Sequence, residues 1–522
     1  MKRSLLVLAF FLLIGLGIAV PAGGDVAGRP GGGSPGTAEN FEEVGHNPLF
    51  GRGMNAAHTM FGDHLYVGNR TDGSSRCGVG DPAGAGGPDS CPHEHPGILA
   101  VDIEDPSDPR VAGEFGNEFV TGPNAGQTAR EMRVWPEQKL LMVMYFRCSS
   151  VIHACPPSSN AFSIRFFDLA ADPADPPLIA SYVPTRKPHE MYLWTDPKDA
   201  DRALLWISSP TTSADPSRAN LLITDISQAR EGVFREVAKG NWNQFYPGSE
   251  TPANYDNDLA LHSMAPTPDG RHTYLAYLRG HFLVLDTSDV ADGVAPGEVV
   301  DLNDALVTTP DNRPRWGTSD GGCLDACAES HSAVPVPGRP FALTTDEVYG
   351  TFTAPSHGCP WGWSRMIKTA QPERPRIMAE YKIEQNERSF CGIEDEPGGE
   401  QFTSYASHNP TLTRNLALIT WHSGGLQAID TSSPRNLRQA GWFSPTPLDT
   451  VTTEDPALSR GPNKVVMWSY PIIRDGLIYV IDIRNGLYVL RYRGDFTREV
   501  KELDFLEGNS NLGDAVRIHR GR

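Results

Sequence analysis

The chain has 522 residues, including 52 glycines and 44 prolines, and a formal net charge of −19 at pH 7. This acidity excludes nucleic acid as a partner, because the sequence has no basic stripe that could displace the counterions of a phosphate backbone. The glycines and prolines separate many short runs of Val, Ile, Leu, Phe and Tyr, which is the composition of an all-β protein.

The first residues have the layout of a cleavable secretory signal. A basic start at Met1 to Arg3 precedes an apolar run from Leu5 to Val20, and small residues follow before Gly23. We predict a signal peptide over residues 1–22 and a flexible Gly/Pro-rich lead over residues 23–40. The expected product is a secreted, extracellular protein with no transmembrane segment in its mature form.

One segment recurs along the chain as an apolar strand that ends in aspartate and is followed by small or polar residues. Its five clear copies end at Asp102, Asp168, Asp225, Asp286 and Asp430. The short carboxylate side chain can accept hydrogen bonds from backbone N–H groups of the turn that ends the strand. Two eroded copies, residues 364–369 and 486–491, lack the aspartate.

This strand pattern resembles the repeat of the LVIVD-repeat family of exported bacterial proteins, and the resemblance covers roughly residues 54–495. It implies a β-propeller. We predict an all-β fold with a single propeller over residues 41–505, followed by a C-terminal tail over residues 506–522. Seven blades of four antiparallel strands fit the repeat count best, and six or eight remain alternatives. Residues 41–50 or 498–505 are the candidates for the closing strand.

Each repeat begins at a recognisable point, and most of these points carry histidine. The seven starts are His58, Arg130, His189, His262, His331, His408 and Trp468. Because the first strand of each blade lines the central channel, equivalent residues converge at one mouth of it. Imidazole nitrogens suit copper, iron and zinc. We predict one of these transition metals as cofactor, with the candidate ligands His58, His189, His262, His331 and His408.

Further polar residues are expected around this position. Side chains alternate across a strand, so the residue after each start is predicted to support the ligands instead of binding the metal. The turn between the second and third strands of a blade returns to the same mouth. The predicted pocket or supporting residues are Arg130, Glu131, Glu190, His281, His422 and Arg484. Three more residues, Arg70, Arg147 and Glu347, fall at or near the same turns.

The leading functional prediction is a copper- or iron-dependent oxidoreductase acting on a small molecule, with no catalytic residue assigned. The histidine lining is similar, more distantly, to the selenium-binding protein and methanethiol oxidase propellers, whose channel histidines are associated with copper. A hydrolase using metal-bound water is one alternative. Another is a non-catalytic cell-surface or extracellular binding scaffold, in which the histidines tie neighbouring blades together. In each case the partner is a small molecule or extracellular ligand, and a monomer is expected.

The eight cysteines occur as near neighbours in an exported chain, which predicts disulfides that close loops. The simplest pairing is Cys77–Cys91, Cys148–Cys155, Cys323–Cys327 and Cys359–Cys391. Zinc binding by these cysteines is the rival interpretation, although no CxxC pair occurs.

Overall fold

A computed structural model of the chain describes residues 35–71, 93–147, 161–245, 260–278, 280–308, 312, 314, 330–347, 361–387, 389–390, 405–453 and 464–521. The predicted signal peptide, most of the predicted lead and all eight cysteines lie outside these residues. Export, cysteine pairing and the zinc alternative for the cysteines therefore stay predictions.

Antiparallel strands form most of the regular structure, and they pair in consecutive units along the chain. Two strands come first, β1 (Thr37–Glu39) and β2 (Phe41–Asn47). The first unit contains β3 (Asn55–Phe61), β4 (His64–Asn69), β5 (Ile98–Asp102) and β6 (Arg110–Phe115). The second contains β7 (Gln127–Trp135), β8 (Leu140–Arg147), β9 (Ser163–Asp168) and β10 (Leu178–Tyr182). A single residue pair, Asn69 with Ala129, joins these two units into one sheet.

The middle of the chain continues the same order. The third unit contains β11 (Met191–Asp196), β12 (Asp199–Ser208), β13 (Leu221–Asp225) and β14 (Arg235–Gly240). The fourth contains β15 (Ala260–Pro266), β16 (His272–Leu278) and β17 (His281–Asp286), followed by the helix α1 (Ser288–Asp292). The short strand β18 (Val300–Asp301) pairs in parallel with β14. The fifth contains β19 (Ser330–Pro335), β20 (Phe341–Asp346), β21 (Ser364–Lys368) and β22 (Arg376–Tyr381).

Two further units complete the described strands. The sixth contains β23 (Pro410–Leu412), β24 (Leu416–Thr420), β25 (Leu426–Asp430) and β26 (Arg438–Ser444), with β1 on its outer edge. The seventh contains β27 (Ile472–Arg474), β28 (Leu477–Asp482) and β29 (Gly486–Tyr492). The chain ends with α2 (Thr497–Lys501), β30 (Phe505–Leu506) and α3 (Ala515–His519). No helix in the described part of the chain is long and apolar enough to cross a membrane.

The units close into a ring. The first strands contact one another in the order β3, β7, β11, β15, β19 and β23, and β28 contacts β3. Strand β2, at the N-terminal end, pairs antiparallel with β29 and supplies the outer strand of the last unit. The fold is therefore a β-propeller, as predicted, while the number of seven blades stays a prediction. The structure selects Phe41–Asn47 for closure, and it places β1 within the segment that was expected to be a flexible lead.

Apolar side chains fill the space between successive units. In the largest core cluster, Trp194 of β11 and Trp206 of β12 are fully buried, and their rings lie 5.8 Å apart in an edge-to-face arrangement. Leu275 and Leu285 of the next unit belong to the same cluster. Each sheet therefore packs its face against its neighbour, which holds the inner strands side by side around the channel.

The repeated aspartates form the turns that the sequence predicts. In all five clear copies, the Oδ1 atom accepts a hydrogen bond from the backbone N–H two residues later, at distances from 2.8 to 3.0 Å. The residues concerned are Asp102, Asp168, Asp225, Asp286 and Asp430. Each one ends the third strand of its unit, so the repeat marks one structural position.

The C-terminal segment, residues 503–521, packs against the ring. Leu193 of β11 exchanges backbone hydrogen bonds with Asn509 and Asn511, each at 3.2 Å, and the Asn511 amide donates to the Pro268 carbonyl at 3.1 Å. The predicted tail is thus a structural part of the propeller, held against β11 and the turn after β15.

The buried guanidinium of Arg133 connects this segment to the ring. Its Nε donates to the Asn509 carbonyl at 3.2 Å, and its Nη2 donates to the Met191 carbonyl at 2.6 Å and to Glu131 at 2.9 Å. We predict that Arg133→Met lowers the free energy of unfolding by about 3 kcal/mol, because it leaves buried acceptors without a donor. Urea unfolding followed by tryptophan fluorescence measures this loss.

Arg230→Met is the matched control, since Arg230 forms a partly exposed ion pair with Asp168 at 2.8 Å. Its loss should cost less than about 1 kcal/mol. Equal effects of the two substitutions would contradict a special role for Arg133.

Candidate metal centre

The starts of the inner strands are irregular. The strand register shifts around Arg130, His262 and His331, so that an extra residue stands opposite the partner strand. The same arrangement occurs at His189. The Ser208 carbonyl accepts a hydrogen bond from the His189 N–H, and the Ser208 N–H donates to the Glu190 carbonyl. Such β-bulges turn a side chain away from the regular alternation. They explain how consecutive residues of one strand, such as His189 and Glu190, can both reach the channel.

Four of the five predicted ligands lie together at this mouth. The rings of His189 and His262 are 4.5 Å apart between centroids, with their Nε2 atoms 2.9 Å apart. His262 and His331 are separated by 4.1 Å, and His331 and His408 by 3.7 Å. The four imidazoles therefore form a continuous arc along four neighbouring inner strands.

Glu347 lies at the centre of this arc. Its Oε1 is 3.2 Å from Nε2 of His408 and 3.8 Å from Nε2 of His422. Its Oε2 is 3.6 Å from Nε2 of His262 and 3.7 Å from Nε2 of His331. The sequence analysis places Glu347 at or near a turn that returns to this mouth, without naming it as a ligand.

His422 completes the arc beyond His408, at 4.9 Å between ring centroids. It occupies the turn between β24 and β25 with a φ of 35°, a conformation that is costly for a residue with a side chain. A backbone hydrogen bond from Met467 to the His422 carbonyl, at 3.1 Å, holds this turn in place. The predicted pocket residue thus contributes an imidazole directly to the cluster.

A second carboxyl group, that of Glu190, lies beside His331 and His262. Its Oε1 is 3.5 Å from Nε2 of His331 and 3.7 Å from Nδ1 of His262. The sequence analysis assigned Glu190 a supporting role on the basis of strand alternation. The bulge beside it removes that alternation, so Glu190 is also a candidate ligand.

Two groups in the described part of the chain have the geometry of a metal site. One contains Glu190, His262 and His331, and the other contains His331, Glu347 and His408. Within each group the potential ligand atoms all lie within 4.8 Å of one another.

His58 does not belong to either group. Its Nε2 lies 3.2 Å from the carbonyl oxygen of Tyr479 on β28, in the neighbouring unit. This contact ties the first unit to the last one, where the ring closes. This arrangement, which His408 also shows in its contact with the Trp468 carbonyl, is the one that the scaffold interpretation describes.

The other predicted pocket residues surround the cluster or brace the mouth. Arg130 donates to the Thr128 hydroxyl at 3.2 Å, and its guanidinium lies over the Phe146 ring. Glu131 accepts from Arg133 deeper in the channel. The remaining two residues have other positions: His281 begins β17 and is half-buried, and Arg484 donates to the Leu448 carbonyl at 2.6 Å.

Burial and close contacts shift the pKa values of the site. Burial lowers the pKa of His189, His331 and His422 well below its usual range. Burial alone would raise the pKa of Glu347, but the contacts with His408 and His331 outweigh it and hold this pKa well below its usual range. Burial raises the pKa of Glu190 well above its usual range. Neutral imidazole and carboxylate are the protonation states that bind a metal.

Hydrogen bonds to the second ring nitrogen orient two of the imidazoles. Nδ1 of His408 donates to the Trp468 carbonyl at 2.6 Å, and Nδ1 of His331 lies 2.8 Å from the Ser332 hydroxyl. The contact with the Trp468 carbonyl orients the His408 ring so that its Nε2 faces Oε1 of Glu347 at 3.2 Å. The centroids of the Trp468 and His408 rings are 5.8 Å apart. The guanidinium of Arg70 lies over the Trp468 ring, 3.2 Å from its centroid.

Comparison with known proteins does not assign this chain to a family. No family model matches the chain, and no curated protein matches its sequence. The resemblance to the LVIVD-repeat family therefore stays a prediction.

Several solved propeller structures show a distant likeness. The β-propeller domain of Cps50 (Swd1) from Myceliophteria thermophila is 10% identical, with 84% of this chain and 96% of that chain covered, at a TM-score of 0.42. The periplasmic gluconolactonase PpgL of Pseudomonas aeruginosa is 11% identical, with coverages of 74% and 85% and a TM-score of 0.40. Sqt1 of Saccharomyces cerevisiae is 8% identical, with coverages of 88% and 99% and a TM-score of 0.43. Such weak likenesses carry nothing about the activity of this chain.

The buried position of His58 predicts a pH effect on stability. Burial lowers its pKa to about 4, from an ordinary value of 6.5. A depressed pKa destabilises the fold as the pH falls, because the unfolded chain binds the proton first. Between pH 7 and pH 5, the free energy of unfolding should fall by about 2 kcal/mol more in the parent protein than in His58→Gln.

Urea unfolding at both pH values measures this difference. Glutamine keeps a donor for the Tyr479 carbonyl but does not titrate. Identical pH dependence of the two proteins would show that His58 is not held neutral by the fold.

Proposed function

We propose that this protein is a metalloprotein whose channel-mouth cluster binds a transition-metal ion, and that it acts as a copper- or iron-dependent oxidoreductase on a small molecule. One observation carries the proposal. Glu190, His262 and His331 bring their ligand atoms within 4.8 Å of one another, and so do His331, Glu347 and His408.

The spacing and chemistry of the donors fit such an ion. Ligands bound at about 2.0 Å around a tetrahedral ion lie about 3.3 Å apart. The donor pairs around Glu347 and Glu190 are separated by 3.2 to 3.8 Å, so small side-chain movements would complete a site. An imidazole-rich set with carboxylate suits copper, iron or zinc. A bound copper or iron ion would supply electron transfer, and zinc would instead supply an activated water molecule.

The residues of the chain prepare the site for a small molecule. The carbonyl of Trp468 fixes the ring of His408, and the hydroxyl of Ser332 contacts that of His331. Export through the N-terminal segment is part of the proposal and would place this activity outside the cytoplasm.

A non-catalytic scaffold is the second candidate function. The contact of His58 with the neighbouring unit favours it for that residue. It does not account for the carboxylate of Glu347 at the centre of four imidazoles, because a strut requires only a backbone carbonyl. The two functions differ in whether the purified protein contains a stoichiometric metal.

We predict that the mature protein, purified without a metal-affinity column, contains at least one copper or iron ion per chain by elemental analysis. His262→Ala combined with His331→Ala should remove this metal, because His331 belongs to both ligand groups and His262 belongs to the first. His58→Gln is the control and should retain the full metal content.

Circular dichroism and thermal unfolding verify that the double variant remains folded. A folded double variant with unchanged metal content would refute the site. Parent protein that is free of metal and takes up none would support the scaffold. Stoichiometric zinc in the parent protein would refute the oxidoreductase and favour the hydrolase.

A further inference from the structure

The carboxylate of Glu347 faces two different pairs of histidines. Its Oε2 atom is directed to Nε2 of His262 and His331, at 3.6 and 3.7 Å. Its Oε1 atom is directed to Nε2 of His408 and His422, at 3.2 and 3.8 Å. A carboxylate that serves a single ion does not need separate imidazoles at each oxygen.

The cluster also offers more donors than one ion uses. Five imidazoles and two carboxylates converge on the mouth, counting His189, whose Nε2 is 2.9 Å from that of His262. Zinc sites generally take four ligands, and catalytic sites take three from the protein. Oε2 of Glu347 faces His262 and His331, with His189 and Glu190 beside them, and Oε1 faces His408 and His422. His331 also forms a compact group with Glu347 and His408.

We propose that the cluster holds two metal ions bridged by the carboxylate of Glu347. The first ion lies between Oε2, His262 and His331, with Glu190 and His189 beside it. The second lies between Oε1, His408 and His422, which provides three protein ligands and leaves positions open for a small molecule. Two ions that share a carboxylate are typically about 3.5–4 Å apart. This inference rests on the proposed function, since it presumes that the cluster binds metal.

The burial of the site supports a second cation. His331, His422 and His262 are almost completely buried, and Glu190 and Glu347 bring two carboxylates into the same space. Divalent ions would bring positive charge into this buried space beside both carboxyl groups. Burying a carboxylate among neutral imidazoles is costly unless a cation pairs with it.

The test is a titration of metal-free protein with Cu²⁺, followed by gel filtration and elemental analysis. We expect about two copper ions per parent chain and about one in His422→Asn, which removes a ligand of the second ion only. Asparagine tolerates the positive φ at this turn and should preserve the fold. His281→Asn is the matched control at the equivalent turn, where φ is 69°, and it should keep two ions.

Electron paramagnetic resonance provides a second readout. Copper ions coupled through a shared carboxylate should give an integrated spin signal well below the copper content. In His422→Asn the signal should equal the copper content, because the remaining ion has no neighbour.

The outcomes separate the two proposals. No copper bound to the parent chain would overturn both of them. One ion per parent chain, unchanged in His422→Asn, would overturn the pair and leave the single-metal function standing. Two ions with a full spin signal would overturn the bridge by Glu347.

Discussion

The β-bulge at the start of the inner strands is the constraint on which the channel mouth depends. In a regular strand, one residue of each consecutive pair would face the channel and the next would face away. The bulges at His189, His262 and His331 interrupt this alternation at the start of the strand, and the alternation resumes further along. Each inner strand can therefore present more polar atoms to the mouth while its apolar side chains still pack between the sheets.

The geometry of the mouth brings a carboxylate into a buried group of imidazoles. Glu347 follows directly after β20, and its carboxylate extends over the arc of imidazoles instead of into solvent. A buried cluster of imidazoles and carboxyl groups is poorly solvated, which makes it receptive to cations of the right size.

Much of the fold could be predicted from sequence, because the repeated aspartates mark one turn in successive units. The convergence of His189, His262, His331 and His408 followed from their shared place in the repeat. Glu347 was not singled out as a candidate ligand, because it is the one glutamate among the residues at these turns and the direction of its side chain depends on the turn after β20. Glu190 was placed in a supporting role because no pattern in the sequence reveals a bulge. His58 shares the repeat position, yet its imidazole contacts the Tyr479 carbonyl, where the first unit meets the last one.

The closure of the ring also sets an order of assembly. Strand β2 pairs with β29 more than 400 residues later, so this sheet can form only when both strands are present. The imidazoles and carboxyl groups of the mouth lie between residues 189 and 422. All of these side chains are therefore synthesised before the strand that closes the ring.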